Sequence, residues 1–155
     1  MGAKERTFSG AEAKGLIERG RTAALATVSA PDGAPYVSLV TVATDGGGAP
    51  IILISDLAVH TQNLKEDGRA SLLFEESSNL AEPLTGARVT AMGSFRQSDA
   101  SDVRACFLER HPDASLYADF SDFAFWRMDV EKVHAIAGFG RIETLSAREV
   151  FGGAE

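Results

Sequence analysis

Short apolar runs separated by polar turns recur along this chain, and two of them lie close together in its first half. Branched residues dominate both runs, Tyr36–Thr44 and Pro50–Ser55, and the glycine-rich segment 45–48 separates them. Such residues suit a pleated, partly buried surface, so the pattern predicts two strands joined by a turn. The second run leads into residues 57–63, which are typical of a helix start, with Asp56 as the candidate cap.

Helix and strand signals continue on both sides of this stretch. Ser9 and Glu12 form the S-x-x-E pattern of a capping box, which predicts a helix. Residues 99–110 carry apolar side chains at helical spacing and predict another, with Ser98 as its cap. Four further β-rich runs are Thr22–Ser29, Arg69–Glu76, Arg88–Arg96 and Phe123–Ile136. Six strands in short hairpins, with helices between some of them, predict one domain over residues 1–155: mainly antiparallel β with flanking helices (α+β), arranged as a small barrel.

Composition and charge narrow the possible functions. The chain has 155 residues, of which 45% are hydrophobic and 24% charged, as in an ordinary globular domain. A net charge of −7 without any Lys/Arg block argues against nucleic-acid binding. No apolar run approaches the roughly 20 residues that span a bilayer, and the first residues lack the apolar core of a secretory signal, so we expect a cytoplasmic protein without membrane contacts. The single Cys106 excludes an internal disulfide and is expected to pack in a helix core.

Histidine positions supply the first candidate chemistry. The histidines His60, His111 and His134 are scattered without the spacing of a zinc site, so no metal site is predicted, and no catalytic residue stands out. His60, Thr61 and Asn63 place hydrogen-bond donors within the first turn of the helix that follows the second run. A strand that delivers donors to a helix N-terminus is the arrangement of a phosphate seat. The alternative is an ordinary capped connection between strand and helix.

Arg88 opens a later strand and is a second candidate for ligand binding. A guanidinium there can bind a phosphate or ring oxygens in bidentate fashion, and the alternative is a solvated charge at a strand end. An anion seat beside a sheet wall suits a phosphorylated, flat ligand.

Several segments in order resemble a known family. GAPYVSLVTV, ISDLAVHTQNL, DGRASLLFEE and EPLTGARVTAMGSF are similar to the FMN-binding split-barrel family, which is typified by pyridoxamine 5'-phosphate oxidase, and the similarity runs from Ser9 to Gly140. RHPDASLYADFSDFAFWRM and HAIAGFGRI resemble its haem-utilisation branch in particular. The resemblance implies a six-stranded split β-barrel and a homodimer with two FMN sites at the subunit interface.

The resemblance also implies which residues hold the cofactor. They are Ser38, Leu39, Val40 and Thr41 on the second strand, Ile54 and Ser55 at the end of the third, Val59, His60, Thr61 and Asn63 at the phosphate-binding turn, and Arg88 beside the flavin. The oxidase grips the phosphate with an arginine on strand two and an Arg-Lys pair in the turn, where this chain has Ser38, His60 and Thr61. Neutral or titratable groups thus replace permanent charges, and we expect weaker FMN binding. The oxidase's C-terminal substrate segment has no counterpart here, so oxidation of pyridoxamine 5'-phosphate is not predicted.

Three functions remain open from the sequence. The first is an FMN-dependent oxidoreductase acting on a small-molecule substrate of unassigned identity, in which the flavin carries the redox chemistry. The second is haem binding or degradation, with His60 or His134 as the candidate axial ligand. The third is a binding module that holds flavin or haem without turnover. FMN is predicted ahead of haem because His134 lies inside a strand, where a packed polar residue is usually satisfied in place, and because no histidine follows it.

Overall fold

Eight strands and four helices make up the described part of the chain. The computed structural model describes residues 7–77, 80–138 and 140–152. The strands are β1 Thr22–Val28, β2 Pro35–Thr41, β3 Ala43–Thr44, β4 Pro50–Ser55, β5 Arg69–Glu75, β6 Arg88–Ser98, β7 Phe123–Ala137 and β8 Arg141–Ser146. The helices are α1 Gly10–Arg19, α2 Val59–Glu66, α3 Ser101–Arg110 and α4 Ala147–Phe151, with short 3-10 turns at Pro83–Thr85 and Pro112–Leu116.

All eight strands belong to one antiparallel sheet that curls into a half-barrel. The strand order is β2-β1-β5-β6-β7-β4-β3, and β8 also pairs with β7. The 15 residues of β7 serve two neighbours on one side: Phe123–Arg127 pair with β4, and Lys132–Ala137 pair with β8. The long strand therefore pairs with both β4 and β8 along one of its sides.

A β-bulge interrupts the pairing of β6 with β7. Met92 lies opposite Lys132, whereas the next residue, Gly93, lies opposite Val130, so that Glu131 is an extra residue without a partner on β6. The backbones approach so closely here that a Cβ built on Gly93 would lie 2.0 Å from the carbonyl oxygen of Asp129. Only glycine fits this position without displacing the backbone.

The main core lies on the inner side of the sheet. Its largest fully buried side chains include Leu25, Leu72, Phe74 and Met128 from three different strands, and Ile17 reaches it from α1. Burying each such side chain contributes about 1.5–3 kcal/mol. A second, smaller cluster lies beneath α3, and Cys106 packs against it but is only partly buried, whereas the sequence predicts a core position.

The strand count differs from the six that the sequence predicts. The run Tyr36–Thr44 is two strands, β2 and β3, which are separated at Val42, whose carbonyl oxygen lies 2.8 Å from Nε2 of His111. Residues after Gly140 form a further strand and helix, β8 and α4, which are not among the predicted elements. Phe139, between β7 and β8, lies outside the described residues. The sheet is a split, half-barrel arrangement, as the resemblance implies, but its described residues form eight strands instead of six.

Helix caps were predicted correctly in one place and wrongly in two. The capping box of Ser9 and Glu12 begins α1 as expected. Asp56 does not cap α2, because Ala58 holds the N-cap position without a side-chain hydrogen bond, while the Asp56 carboxylate pairs with Lys65 at 3.0 Å. The N-cap of α3 is Ala100, which likewise lacks a side-chain cap, instead of the serine two residues earlier. Among the described residues, no helix is long and apolar enough to cross a membrane.

Candidate functional site

The N-terminus of α2 is the place where the sequence predicts an anion. Its N-cap residue is Ala58, whose methyl group cannot accept a hydrogen bond. The backbone N–H groups of the first turn therefore have no side-chain cap. The macrodipole of the helix adds partial positive charge at the same end. We call Ser38, Val59, His60 and Thr61 together with this uncapped turn the α2 seat.

His60 and Ser38 meet in the α2 seat although they are 22 residues apart in the chain. Nδ1 of His60 lies 3.0 Å from Oγ of Ser38 on β2. The His60 ring is half-buried, and this desolvation lowers its pKa below the usual 6.5. The imidazole is therefore neutral near pH 7 and offers hydrogen bonds rather than a fixed positive charge.

Thr61 and Val59 have opposite surroundings within the same turn. The Thr61 side chain is fully buried, and its Oγ1 has no hydrogen-bond partner among the described residues. An anion at the seat reaches this hydroxyl only if the side chain rotates, since other atoms cover it. Val59 is 53% exposed and adds apolar surface beside the seat.

Asn63 and Ser55 shape the chain around the seat. The buried Asn63 amide donates from Nδ2 to Oγ1 of Thr27 at 3.0 Å, and its Oδ1 accepts from the backbone N–H of Ala30 at 3.2 Å. Asn63 therefore ties α2 to the end of β1. The Ser55 hydroxyl donates to Asp122 at 2.8 Å and accepts from the backbone N–H of the residue two positions later. Both side chains are occupied in holding the backbone.

The remaining predicted cofactor residues do not lie on one surface. Because side chains alternate along β2, Ser38 and Val40 face one side of the sheet while Leu39 and Thr41 face the other. Leu39 is 74% exposed, whereas Val40 is buried. Ile54 is likewise a core residue, with 4% of its surface exposed.

Arg88 lies away from the α2 seat. Two strands, β1 and β5, separate β2 from β6, which Arg88 opens. Its Nη1 donates to the carbonyl oxygens of Leu84 at 2.8 Å and Gly86 at 3.0 Å, so the guanidinium braces the loop before its own strand. Within one chain, the structure does not bring Arg88 together with His60.

The opposite side of the sheet is an exposed, mainly apolar surface, which we call the outer face. Its members come from six strands, point to the same side in the observed register, and are partly or largely exposed: Ala24, Ala26, Val37, Leu39, Leu73, Met92, Ile136 and Ile142. Val37 is 65% exposed and Ile142 54% exposed. A contiguous apolar surface of this kind on a folded domain marks a binding or interaction site.

His134 lies within the outer face. The register places it directly between Thr90 of β6 and Thr144 of β8. Its Nδ1 lies 2.9 Å from Oγ1 of Thr144, and no described residue forms a hydrogen bond with Nε2. The sequence names His134 as a candidate ligand but not Thr144, which lies on a strand that the sequence pattern does not predict.

A groove of about 540 Å³ lies next to His134 on the outer face. Ala26, Ser71 and Met92 line it, together with the charged side chains of Arg69 and Glu131. Met92 pairs with the residue two positions before His134, so that the groove and the histidine occupy neighbouring rows of the sheet. The volume is within the range of small-molecule sites.

Comparison with known proteins settles the family. The family model described as "CREG, beta-barrel" matches residues 5–151, which is nearly the whole chain. The chain belongs to the CREG β-barrel family. This membership, within the FMN-binding split-barrel group, confirms the resemblance that the sequence motifs indicate and agrees with the curled antiparallel sheet.

Relatives of this CREG-family chain include haem proteins. It is 36% identical over 110 residues to a chloroplastic non-canonical heme oxygenase, HOZ, of Arabidopsis thaliana, in a match that covers 69% of this chain and 33% of the relative. A heme binding protein from Mycobacterium smegmatis is 30% identical with a TM-score of 0.84, covering 96% of this chain and 61% of that one. HutZ, the heme storage protein of Vibrio cholerae, shares the fold with a TM-score of 0.70 at 22% identity, covering 82% of this chain and 92% of HutZ.

The CREG-family chain is shorter than the first two of these relatives. It spans about a third of the length of the Arabidopsis protein and 61% of the length of the mycobacterial one.

Proposed function

We propose that this protein binds haem on the outer face, with His134 as the axial ligand. The observation that carries the proposal is the arrangement of the His134 ring. Its Nδ1 is held by Thr144, its Nε2 has no hydrogen bond to any described residue, and the ring lies among exposed apolar side chains. An imidazole of a haem ligand bonds iron through one ring nitrogen, and the other nitrogen is usually hydrogen-bonded to the protein.

The residues of the outer face fit a haem in their chemistry. The macrocycle is flat and apolar, and Leu73, Met92 and Ile136 offer a surface of the same character on strands β5, β6 and β7. Haem also carries carboxylates, and Lys132 and Arg69 lie on the side of His134 where the groove is found. When bound, the iron would supply redox chemistry; the protein residues orient the ring and exclude water from it.

The relatives support haem as the ligand. Two relatives that share 30% identity or more are a heme oxygenase and a heme binding protein. We extend ligand binding to this chain because its outer face offers a histidine with a free nitrogen. Degradation of the haem is a further expectation from the oxygenase relative.

Titration with ferric haem tests the ligand assignment. We expect saturable binding, one haem per subunit, with a sharp Soret band that is lost or at least about tenfold weaker in affinity in His134→Ala. His60→Ala is the matched control and should leave the band unchanged, because His60 lies at the α2 seat. Absence of haem binding by the unaltered protein, or loss in His60→Ala alone, would refute the assignment to His134.

FMN is the second candidate, and the α2 seat favours it. The N-terminus of α2 has no side-chain cap, and the His60–Ser38 pair adds polar atoms beside it. A phosphate at this place would accept hydrogen bonds from backbone N–H groups, and the helix dipole would stabilise its negative charge. The flavin would then supply hydride or electron chemistry toward a small-molecule substrate, while the protein binds its phosphate and orients the ring.

A comparison of FMN with riboflavin tests the α2 seat. His60→Ala should weaken FMN binding about tenfold, since a hydrogen bond to a charged group contributes about 1.5–3 kcal/mol. Riboflavin has no phosphate and should bind equally to both proteins. His134→Ala serves as the control and should leave FMN affinity unchanged. Equal losses for FMN and riboflavin would show that the seat does not bind phosphate.

We also propose that a second copy of the chain covers part of the outer face. Val37 and Leu39 on the edge strand β2 are the most exposed apolar residues of this face, and a homodimer would bury them. A site at the subunit interface would be completed by the partner, which would account for the wide separation of Arg88 from His60 within one chain.

A further inference from the structure

We propose that Thr144 is the positioning residue for His134: its hydroxyl accepts a hydrogen bond from Nδ1–H and thereby keeps Nε2 unprotonated for a ligand. The inference rests on the proposed haem site, and it assigns the role to β8, the strand that the sequence pattern does not reveal. Thr144 does not touch the ligand in this proposal and acts only through the imidazole.

The register of the sheet makes this contact a property of the fold. His134 and Thr144 are direct cross-strand partners, so their side chains leave the sheet on the same face. Five further residue pairs on β7 and β8 hold the same register, from Lys132 opposite Ser146 to Ala137 opposite Arg141. The 2.9 Å separation of Nδ1 from Oγ1 is that of a hydrogen bond.

The capacities of the two groups allow the direction that we infer, from Nδ1–H of His134 to the hydroxyl oxygen of Thr144. A threonine hydroxyl has two acceptor lone pairs but one donor proton. Thr144 lies on an exposed position of its strand, and its two lone pairs leave an acceptor site for the imidazole beside any other contact of this residue. A neutral imidazole carries one proton, and placing it on Nδ1 leaves the lone pair on Nε2.

The second neighbour of His134 gives no such bond. Thr90 lies opposite His134 on β6, but the side-chain hydrogen bond of the imidazole is with Thr144. The two threonines flank the same ring, but only Thr144 is hydrogen-bonded to it. We therefore assign the choice of tautomer to Thr144 and not to Thr90. Thr144 on β8 is therefore the position at which the ligand properties of His134 can be adjusted without altering the apolar surface.

NMR of the histidine ring nitrogens in the ligand-free protein tests the tautomer directly. We expect His134 as the Nδ1–H tautomer in the unaltered protein and in Thr144→Ser, which keeps the hydroxyl. Thr144→Val keeps the shape of the side chain, suits a strand, and should shift the ring toward the Nε2–H form. Thr22→Val on β1 is the control for a threonine lost elsewhere on the sheet. An Nε2–H ring in the unaltered protein, or an unchanged tautomer in Thr144→Val, would overturn the inference.

Haem titration of the same variants tests the consequence. We expect Thr144→Val to bind haem about 10–100-fold more weakly, as is typical when the hydrogen-bond partner of a metal-ligating histidine is removed, and Thr144→Ser to bind like the unaltered protein. If the unaltered protein binds no haem, the proposed function fails while the NMR result still decides the role of Thr144. If haem binding requires His134 but is unchanged in Thr144→Val, the inference about Thr144 fails and the proposed function stands.

Discussion

Each histidine of this chain contacts an oxygen atom from a different element. His60 meets the Ser38 hydroxyl of β2, His111 the Val42 carbonyl between β2 and β3, and His134 the Thr144 hydroxyl of β8. The three rings nevertheless lie in different parts of the fold. His111 fixes a break in the sheet, His134 lies on an exposed apolar surface, and His60 stands at a helix N-terminus.

Protonation of His60 should make stability depend on pH. Burial lowers the pKa of His60 in the folded protein below 6.5, so at a given pH the unfolded chain binds this proton more readily. The stabilisation from a neutral His60 is thus fully present above pH 6.5 and is lost as the pH falls through the lower, folded value. Urea unfolding between about pH 7 and pH 5 should show a steeper loss of unfolding free energy for the unaltered protein than for His60→Gln. Identical slopes would mean that burial does not perturb His60.

At the scale of elements, the bulge between β6 and β7 depends on Gly93. A Cβ at this position would overlap the Asp129 carbonyl, so the two strands must separate to accept Gly93→Ala. We expect this substitution to reduce the free energy of unfolding by about 3 kcal/mol, at the upper end of the cost of overpacking. Gly46→Ala is the matched control, because no atom lies within 4 Å of the added methyl group, and it should be close to neutral. If the denaturant unfolding curves of Gly93→Ala and Gly46→Ala coincide, the close approach of β6 to β7 at Gly93 is contradicted.

Local signals in the sequence predict elements better than they predict boundaries. The Ser9–Glu12 capping box predicts α1. The same pattern at Ser146 and Glu149 begins α4, which is not among the predicted helices. The strand β8 has six residues at an edge position, too few for a clear alternation to stand out after the glycines that precede it. Asp56 was expected at the helix cap, but its ion pair with Lys65 competes for the carboxylate.

The candidate site is less predictable because it depends on strand order. His60 and Ser38 are far apart in sequence, and it was the family resemblance rather than their spacing that placed both near a ligand. Arg88 was expected beside the same flavin, but β1 and β5 intervene, and alternation within a strand contains no information about which strands are neighbours. Thr144 was missed for the same reason, since its contact with His134 requires β8 to be known first.

At the scale of the whole molecule, the outer face should hold two copies of the chain together. We expect light scattering at micromolar concentration to give twice the chain mass of 16.4 kDa. Leu39→Glu places a charge on a residue that is 74% exposed in the single chain and should give the monomer mass, because burying an unpaired carboxylate is costly. Leu116→Glu, on the 3-10 turn after α3, is also highly exposed and is the control that should leave the dimer intact. A monomer mass for the unaltered protein would remove the shared-site proposal.

The identity of the cofactor is likewise a property of the whole fold. The sequence favoured FMN because a histidine inside a strand is usually satisfied in place. The structure puts His134 on the exposed side of that strand, and two relatives at 30% identity or more are haem proteins, which supports haem at least as well as FMN. FMN at the α2 seat stays a prediction.

The single extra residue Glu131 decides which side of β7 the imidazole occupies. Before it, the even-numbered residues of the strand, such as Met128, point inward; after it, the odd-numbered ones, such as Val133, do so. Uninterrupted counting would keep even numbers inward and turn His134 into the core, because strand side chains have a period of two. The face of the sheet on which His134 lies is therefore set by the number of residues that precede it on β7, not by its chemistry. In a relative that lacks one residue at this bulge, the side chains of β7 that follow would lie on the opposite face.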